Sequence, residues 1–172
     1  MSANLPGPAP SGLGGWIAAG ILGVAAMIGL AWFGTRGVAG PAAAIQGYLA
    51  ENARKAGVTV LPSGVQVEVL KGGGSGTAPG AQDFVLVQYE GRLTDGTVFD
   101  SSYARGQPAA FGVGDVIPGL AEALQRMKPG EKHRITIPPA LAYGREGAGN
   151  GVIPPNSVLV FEVELLQVAA GG

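Results

Sequence analysis

The sequence predicts an α+β domain in which an antiparallel sheet wraps around one short helix. Several segments alternate apolar and polar residues, as half-buried strands do. The tetrapeptide at 94–97 contains Asp-Gly, which is a strong signal for a tight hairpin turn. After residue 60, only one segment has the apolar spacing of an amphipathic helix. Laying that helix across one face of the sheet buries the apolar surface of both elements.

Composition excludes several classes of function. The chain has 172 residues, enough for one globular domain and an attachment. It has no cysteine, which excludes disulfides and thiol chemistry. A net charge of −1 and the lack of a basic run argue against nucleic-acid binding. The hydrophobic fraction of 47% argues against a disordered chain.

The N-terminal part of the chain differs from the rest, since the first ionisable side chain is Arg36. Residues 13–34 form a run of 22 residues without a charge, which is long enough for a helix to cross a bilayer. Trp16 and Trp32 lie near its two ends, where the membrane interface favours aromatic rings. We therefore predict a tail at 1–12 and a transmembrane helix at 13–34 in contact with the lipid bilayer.

A cleaved signal peptide is the alternative explanation of this run. Ala42-Ala43-Ala44 would provide small residues for cleavage a short way downstream. The length of the run and the lack of Lys or Arg before it favour an uncleaved anchor.

Residues 35–59 are predicted to form a joint and a short helix. The segment 42–56 is rich in alanine, with Ile45 and Leu49 four residues apart, and Gly57 follows as a stop.

The sheet and its helix are predicted to form one domain over residues 60–169. Strands are expected at 65–70, 84–93, 98–100, 131–137 and 157–168. The glycine-rich run 72–76 has the composition of a linker, but strands flank it, so we predict a wide hairpin loop within the domain. Pro118 opens the helix, and Pro129-Gly130 ends it. Its apolar stripe is Leu120, Ala123, Leu124 and Met127.

Four short blocks follow one another in the C-terminal third of the chain. They are Val-Ile-Pro-Gly at 116–119, Leu-Ala-Tyr-Gly at 141–144, Val-Ile-Pro-Pro at 152–155 and Leu-Val-Phe-Glu-Val-Glu-Leu at 159–165. Together with Tyr89 and the Val-Phe-Asp-Ser-Ser run at 98–102, they resemble the FKBP family of peptidyl-prolyl cis-trans isomerases. The resemblance covers about residues 60–168 and is greatest to the Mip-like branch.

The resemblance implies rotation of X-Pro bonds in polypeptides without covalent chemistry, a cofactor or a metal. The implied substrate-binding residues are Tyr89, Phe99, Phe111, Val116, Ile117, Leu120, Tyr143, Ile153 and Phe161. The implied catalytic residues are Asp100, Tyr143, Ile117 and Phe99. Among these, the Ile117 N–H and the Tyr143 hydroxyl would donate to the substrate, and Asp100 would lie at the rim, bonded to Tyr89 or Arg105.

Taken one at a time, several of these residues have simpler explanations. Phe161 and Tyr89 could be ordinary core residues, and Asp100 could cap the turn at Ser101-Ser102. Those serines have no nearby histidine, which argues against serine hydrolysis. His133 is the only histidine and makes a poor metal site alone, so we assign it no functional role.

Two positions depart from the family pattern. Leu120 stands where the family usually has a tryptophan as the cavity floor, and Ala109 stands where an aromatic residue is expected. Both departures imply a weakened isomerase and still weaker binding of macrolide inhibitors. A membrane-tethered module or holdase that binds proline peptides with little turnover is therefore the alternative function.

The resemblance also bears on location and assembly. Single-anchor isomerases of this type usually face outward, which implies a single-pass protein of the bacterial inner membrane with a periplasmic domain. Arg36 alone would place the domain in the cytoplasm by the positive-inside rule. The shortness of the helix at 42–56 predicts no oligomer.

Overall fold

The computed structural model describes residues 40–171. The predicted tail at 1–12 and the predicted transmembrane helix at 13–34 lie outside the described residues. Within residues 40–171, no helix is long and apolar enough to cross a membrane.

The described part of the chain contains three α-helices and seven strands. In order, they are α1 (Pro41–Ala53), β1 (Val58–Val60), β2 (Gln66–Lys71), β3 (Phe84–Leu93), β4 (Val98–Ser101), α2 (Ser102–Arg105), β5 (Ala109–Gly112), α3 (Pro118–Leu124), β6 (Lys132–Ile137) and β7 (Leu159–Ala169). Every predicted strand is present, and no end is shifted by more than two residues. The sequence analysis missed β1, α2 and β5, which are too short to show a period of their own.

The strands form one antiparallel sheet in the order β1-β2-β6-β7-β3-β4, with β5 also paired to β3. The prediction that 72–76 forms a hairpin loop is wrong, because β6 and β7 lie between β2 and β3. The loop instead crosses the end of the sheet, where the Ser75 N–H donates to Pro129 O at 3.0 Å. A Cβ at Gly74 would stand 2.8 Å from that same oxygen, so the crossing needs glycine.

Helix α3 packs on the inner face of the sheet and completes the core. Its first turn comes so close to β6 that a Cβ at Gly119 would stand 2.4 Å from Ile137 Cγ2. The helix ends at Leu124, earlier than predicted, yet Met127 in the next turn is fully buried. The predicted inward alternation of β7 is confirmed, since its inward residues Leu159, Phe161, Val163 and Leu165 are buried.

Helix α1 packs on the outer face of the sheet through polar contacts. Asn52 donates to Gln66 Oε1 at 2.7 Å and to Thr136 Oγ1 at 3.3 Å. Gln66 Nε2 in turn donates to Leu49 O at 2.8 Å. Gln66 and Thr136 are register partners on β2 and β6, and they alternate with inward-facing residues. The sheet therefore lies between α1 and α3.

His133 lies in the interior of β6, and its side chain is 4% exposed. Its register partners on β2 and β7 are Val69 and Val163, neither of which can accept a hydrogen bond through its side chain. The nearest carboxylate is that of Glu131, 3.3 Å from Nε2, but neither ring nitrogen makes a hydrogen bond within residues 40–171. Burial lowers the pKa of His133, although the Glu131 carboxylate acts in the opposite direction. At neutral pH the folded protein therefore holds this imidazole neutral.

We predict that stability falls as the pH drops below 6.5, the ordinary pKa of histidine. The unfolded chain then takes up a proton that folded His133 excludes, with a slope of at most about 1.4 kcal/mol per pH unit. His133→Leu removes that proton uptake, so its stability should change less between about pH 6.5 and 5. Urea unfolding of residues 40–172 across this range measures both slopes. Equal slopes for the two proteins would contradict the prediction, since the chain has no other histidine.

Candidate active site

A cavity of about 320 Å³ opens between the inner face of the sheet and the start of α3. Its walls come from β3, β4, β5, β7, the residues that precede α3, and the loop after β6. The lining residues are Tyr89, Phe99, Asp100, Phe111, Asp115, Val116, Ile117, Leu120, Tyr143, Phe161 and Val163.

The aromatic wall is a set of rings that hold one another in place. Phe99 and Phe161 meet edge to face with centroids 5.5 Å apart, and Tyr89 lies 6.4 Å from both Phe161 and Phe111. A Cβ at Gly91 would stand 2.5 Å from Phe99 Cζ and 2.9 Å from Phe161 Cε1. The rings can occupy these positions because β3 has glycine behind them.

The floor and one edge of the cavity come from the start of α3. Leu120 is 6% exposed and forms the floor. Ile117 caps the helix, and its carbonyl accepts from the N–H of Leu120 at 3.0 Å and of Ala121 at 3.1 Å. The N–H of Ile117 has no acceptor within residues 40–171, so it is free to donate to a ligand.

A cluster of three polar side chains lies at the rim. The Tyr89 hydroxyl donates to Asp100 Oδ2, Arg105 donates to Asp100 Oδ1, and Arg105 Nη2 lies 2.9 Å from the Tyr89 hydroxyl. Helix α2 positions Arg105: the Ser101 hydroxyl caps it by accepting from Ala104 N at 3.2 Å, and Gly106 ends it at φ 72°. The residue that caps this turn is therefore Ser101, and not Asp100, for which capping was the simpler explanation.

The cluster keeps its carboxylate charged. Partial burial of Asp100 acts to raise its pKa, but the hydrogen bonds from Tyr89 and Arg105 outweigh it and hold that pKa below its usual value. Burial raises the pKa of Tyr89, and its hydrogen bond to Asp100 raises it further. At neutral pH the rim thus carries an Asp100–Arg105 ion pair and a protonated Tyr89, a poor arrangement for acid–base catalysis.

The structure brings nearly all predicted site residues to one cavity. The residues that line it as predicted are Tyr89, Phe99, Asp100, Phe111, Val116, Ile117, Leu120, Tyr143 and Phe161. Ile153 does not line it: the residue is 6% exposed, packs into the core and makes an antiparallel bridge with Ala148. Tyr143 is 41% exposed, and its hydroxyl makes no hydrogen bond within residues 40–171.

Sequence reasoning missed two lining residues, Val163 and Asp115. Val163 was available from the alternation of β7, since it shares a face with Phe161. Asp115 ends a 3₁₀ turn over Val113–Asp115, and no residue pattern marks that turn.

The lining offers few nucleophiles: two tyrosines and two aspartates, one of them held in the Asp100–Arg105 ion pair. It contains no serine, cysteine, lysine or histidine. Within residues 40–171, no three potential ligands come together to hold a metal. What remains is an apolar, aromatic volume that includes the free N–H of Ile117 and the free hydroxyl of Tyr143. This suits non-covalent binding of a compact apolar group whose carbonyls are held at the rim.

Comparison with known proteins identifies relatives of this domain. Residues 75–166 match the model of the FKBP-type peptidyl-prolyl cis-trans isomerase family. The chain is 56% identical over 121 residues to the FKBP-type 22 kDa peptidyl-prolyl cis-trans isomerase of Escherichia coli, covering 70% of this chain and 58% of that protein. It is 54% identical over 121 residues to the isomerase Mip of Coxiella burnetii, covering 70% and 52% of the two chains.

The crystal structure of FkpA from Escherichia coli superposes with a TM-score of 0.73 at 38% identity. The match covers 91% of this chain and 73% of that one. The chain thus spans little more than half the length of the two curated relatives that it matches.

Proposed function

The chain belongs to the family of FKBP-type peptidyl-prolyl cis-trans isomerases, and we propose that it is an isomerase of X-Pro bonds in polypeptides, with residues 60–169 as its catalytic domain. The observation that carries the proposal is the aromatic cavity with the free Ile117 N–H at its mouth. Both the shape and the chemistry of this cavity suit a proline ring and the amide that precedes it.

The reaction needs no covalent step. Rotation about an X-Pro bond crosses a barrier of roughly 20 kcal/mol, because the planar amide is stabilised by resonance. A catalyst lowers that barrier by binding the twisted amide more tightly than the planar one. The twisted amide has lost its resonance and is less polar, so an apolar cavity favours it.

Each wall of the cavity has a part in this mechanism. The proline ring lies on Leu120, between the rings of Phe99, Phe161 and Tyr89. The Ile117 N–H holds one substrate carbonyl, and the Tyr143 hydroxyl, which is exposed and unbonded within residues 40–171, is a second donor. Val116 and Phe111 complete the apolar surround. The mechanism uses no metal and no cofactor.

Asp100 acts through its negative charge on the carbonyl carbon of the rotating amide, which becomes more electron-poor as resonance with nitrogen is lost. Its carboxylate lines the cavity, and the pKa shift keeps it ionised at neutral pH. Arg105 and Tyr89 fix its orientation, so no reorganisation is needed as the amide twists.

We predict that Asp100→Asn lowers kcat/KM by about 10- to 100-fold, the range expected for losing charge-assisted contacts. A protease-uncoupled assay of a Leu-Pro peptide measures the rate, and thermal unfolding shows whether the variant is folded. Asp95→Asn is the matched control, since Asp95 lies outside the cavity lining and Asn-Gly also suits its hairpin turn. Equal rates for Asp100→Asn and Asp95→Asn would contradict the role of Asp100.

The same assay separates the isomerase from the binding module. If the folded wild-type chain binds proline peptides without accelerating their isomerisation, the isomerase proposal fails. Leu120 and Ala109 would then have turned the cavity into a binding site for proline-containing segments.

Leu120 offers a second test of the cavity, through the macrolide inhibitors of this family. Leucine gives these ligands less surface to stack on than an aromatic floor, so we propose that they bind weakly. We predict that Leu120→Trp tightens macrolide binding by about tenfold, through added buried area and ring stacking. Fluorescence titration measures the affinity, with Leu120→Met as the control of similar volume. Unchanged affinity in Leu120→Trp would place the macrolide elsewhere.

We further propose that residues 13–34 anchor the protein in the bacterial inner membrane, with its domain in the periplasm. The support is the uncharged run of 22 residues. The full-length chain should stay in the membrane on alkaline extraction, while a variant lacking residues 13–34 should be released. Release of a wild-type product shortened near Ala44 would show instead that the run is a cleaved signal peptide.

A further inference from the structure

Asp115 is the one charged residue of the cavity lining that has no ionic partner within residues 40–171. The lining contains two charged residues, both acidic, and the other one, Asp100, is paired with Arg105. The Asp115 carboxylate folds back over β5, so that a Cβ at Gly112 would stand 2.5 Å from its Oδ2. The uncompensated charge of the cavity lining is therefore negative and lies on one side of the mouth.

The segment packed beside this turn supplies no cation. Val113 donates its N–H to the carbonyl oxygen of Asp83 at 2.9 Å, which brings residues 80–83 next to the turn. The Asp83 carboxylate already accepts from the N–H of Gly80 at 2.8 Å and of Gly171 at 3.0 Å. This neighbour adds negative charge and no cation, so Asp115 stays unpaired in the described part of the chain.

We infer that Asp115 gives the enzyme a preference for substrates with Lys or Arg beside the proline. The inference rests on the proposed function. Asp115 lies two residues before Ile117 in the sequence. In the proposed mechanism, the free N–H of Ile117 holds a substrate carbonyl. Asp115 and Ile117 line the same cavity, so a residue adjacent to the bound proline is expected to pass the carboxylate. Because Asp115 is exposed, the attraction is modest and salt-dependent, giving a preference of about three- to tenfold.

The test compares two peptide series on the full chain in neutral detergent. Lys, Leu or Glu precedes the proline in one series and follows it in the other. In at least one series, wild type should show a kcat/KM ratio of Lys over Glu of about three to ten at about 10 mM salt, falling toward one at about 1 M. Asp115→Asn should bring the low-salt ratio close to one, and Asp115→Lys should invert it.

Asp95→Asn is the matched control, because it removes the same charge outside the cavity lining and should keep the wild-type ratio. A ratio that is the same in wild type and Asp115→Asn, in both series, overturns the inference. So does a loss of preference in Asp95→Asn as large as that in Asp115→Asn, since the effect would then follow net charge alone. The Leu peptides report separately on the proposed function: a wild-type chain that fails to accelerate them overturns the isomerase itself.

Discussion

The register of β3 against β7 is the constraint on which the site depends. The pairing runs from Phe84 opposite Ala169 to Leu93 opposite Leu159, with one irregularity between Leu86 and Val87. It sets Gly91 opposite Phe161 and Tyr89 opposite Val163, so the ring of Phe161 passes over a residue with no side chain. A slip of β7 by one residue would turn its cavity side chains, Phe161 and Val163, to the outer face. Strand pairing therefore determines where the aromatic rings lie, and side-chain packing then holds them there.

A second dependence runs through the short helix α2, which follows β4 directly. Four helical residues, capped at Ser101 and ended at Gly106, bring Arg105 back over Asp100 and Tyr89. The guanidinium compensates the charge of Asp100 and stacks 5.5 Å above the Tyr89 ring. Without it, a half-buried carboxylate would oppose binding of any apolar group nearby. With Asp100 paired in this way, Asp115 is the charged lining residue that has no ionic partner in the described part of the chain.

The sequence predicted what depends on local periodicity and missed what depends on pairing order. The alternation of β3 and β7 and the stripe that begins at Leu120 identified the elements that build the cavity. No local pattern tells that β6 and β7 separate β2 from β3, so the loop at 72–76 was misread as a hairpin. The motif around Ile153 predicted that it lines the cavity, but its backbone bridge to Ala148 keeps it in the core. Asp115 lies in a 3₁₀ turn that no residue pattern predicts.

Leu120 changes how the substrate's binding energy is divided between the floor and the rim of the cavity. An aromatic floor contributes stacking to proline in both its planar and its twisted states, so part of its contribution is uniform binding, which lowers KM without raising kcat. With Leu120 in its place, contacts between the floor and the proline ring supply less of the total binding energy. Under the proposed function, a larger share then comes from Ile117, Asp100 and Asp115, whose proposed contacts are with the carbonyls and with the residues beside proline. If the proposed function and the role of Asp115 hold, such a cavity would discriminate substrates by the residues that flank proline more than by proline itself.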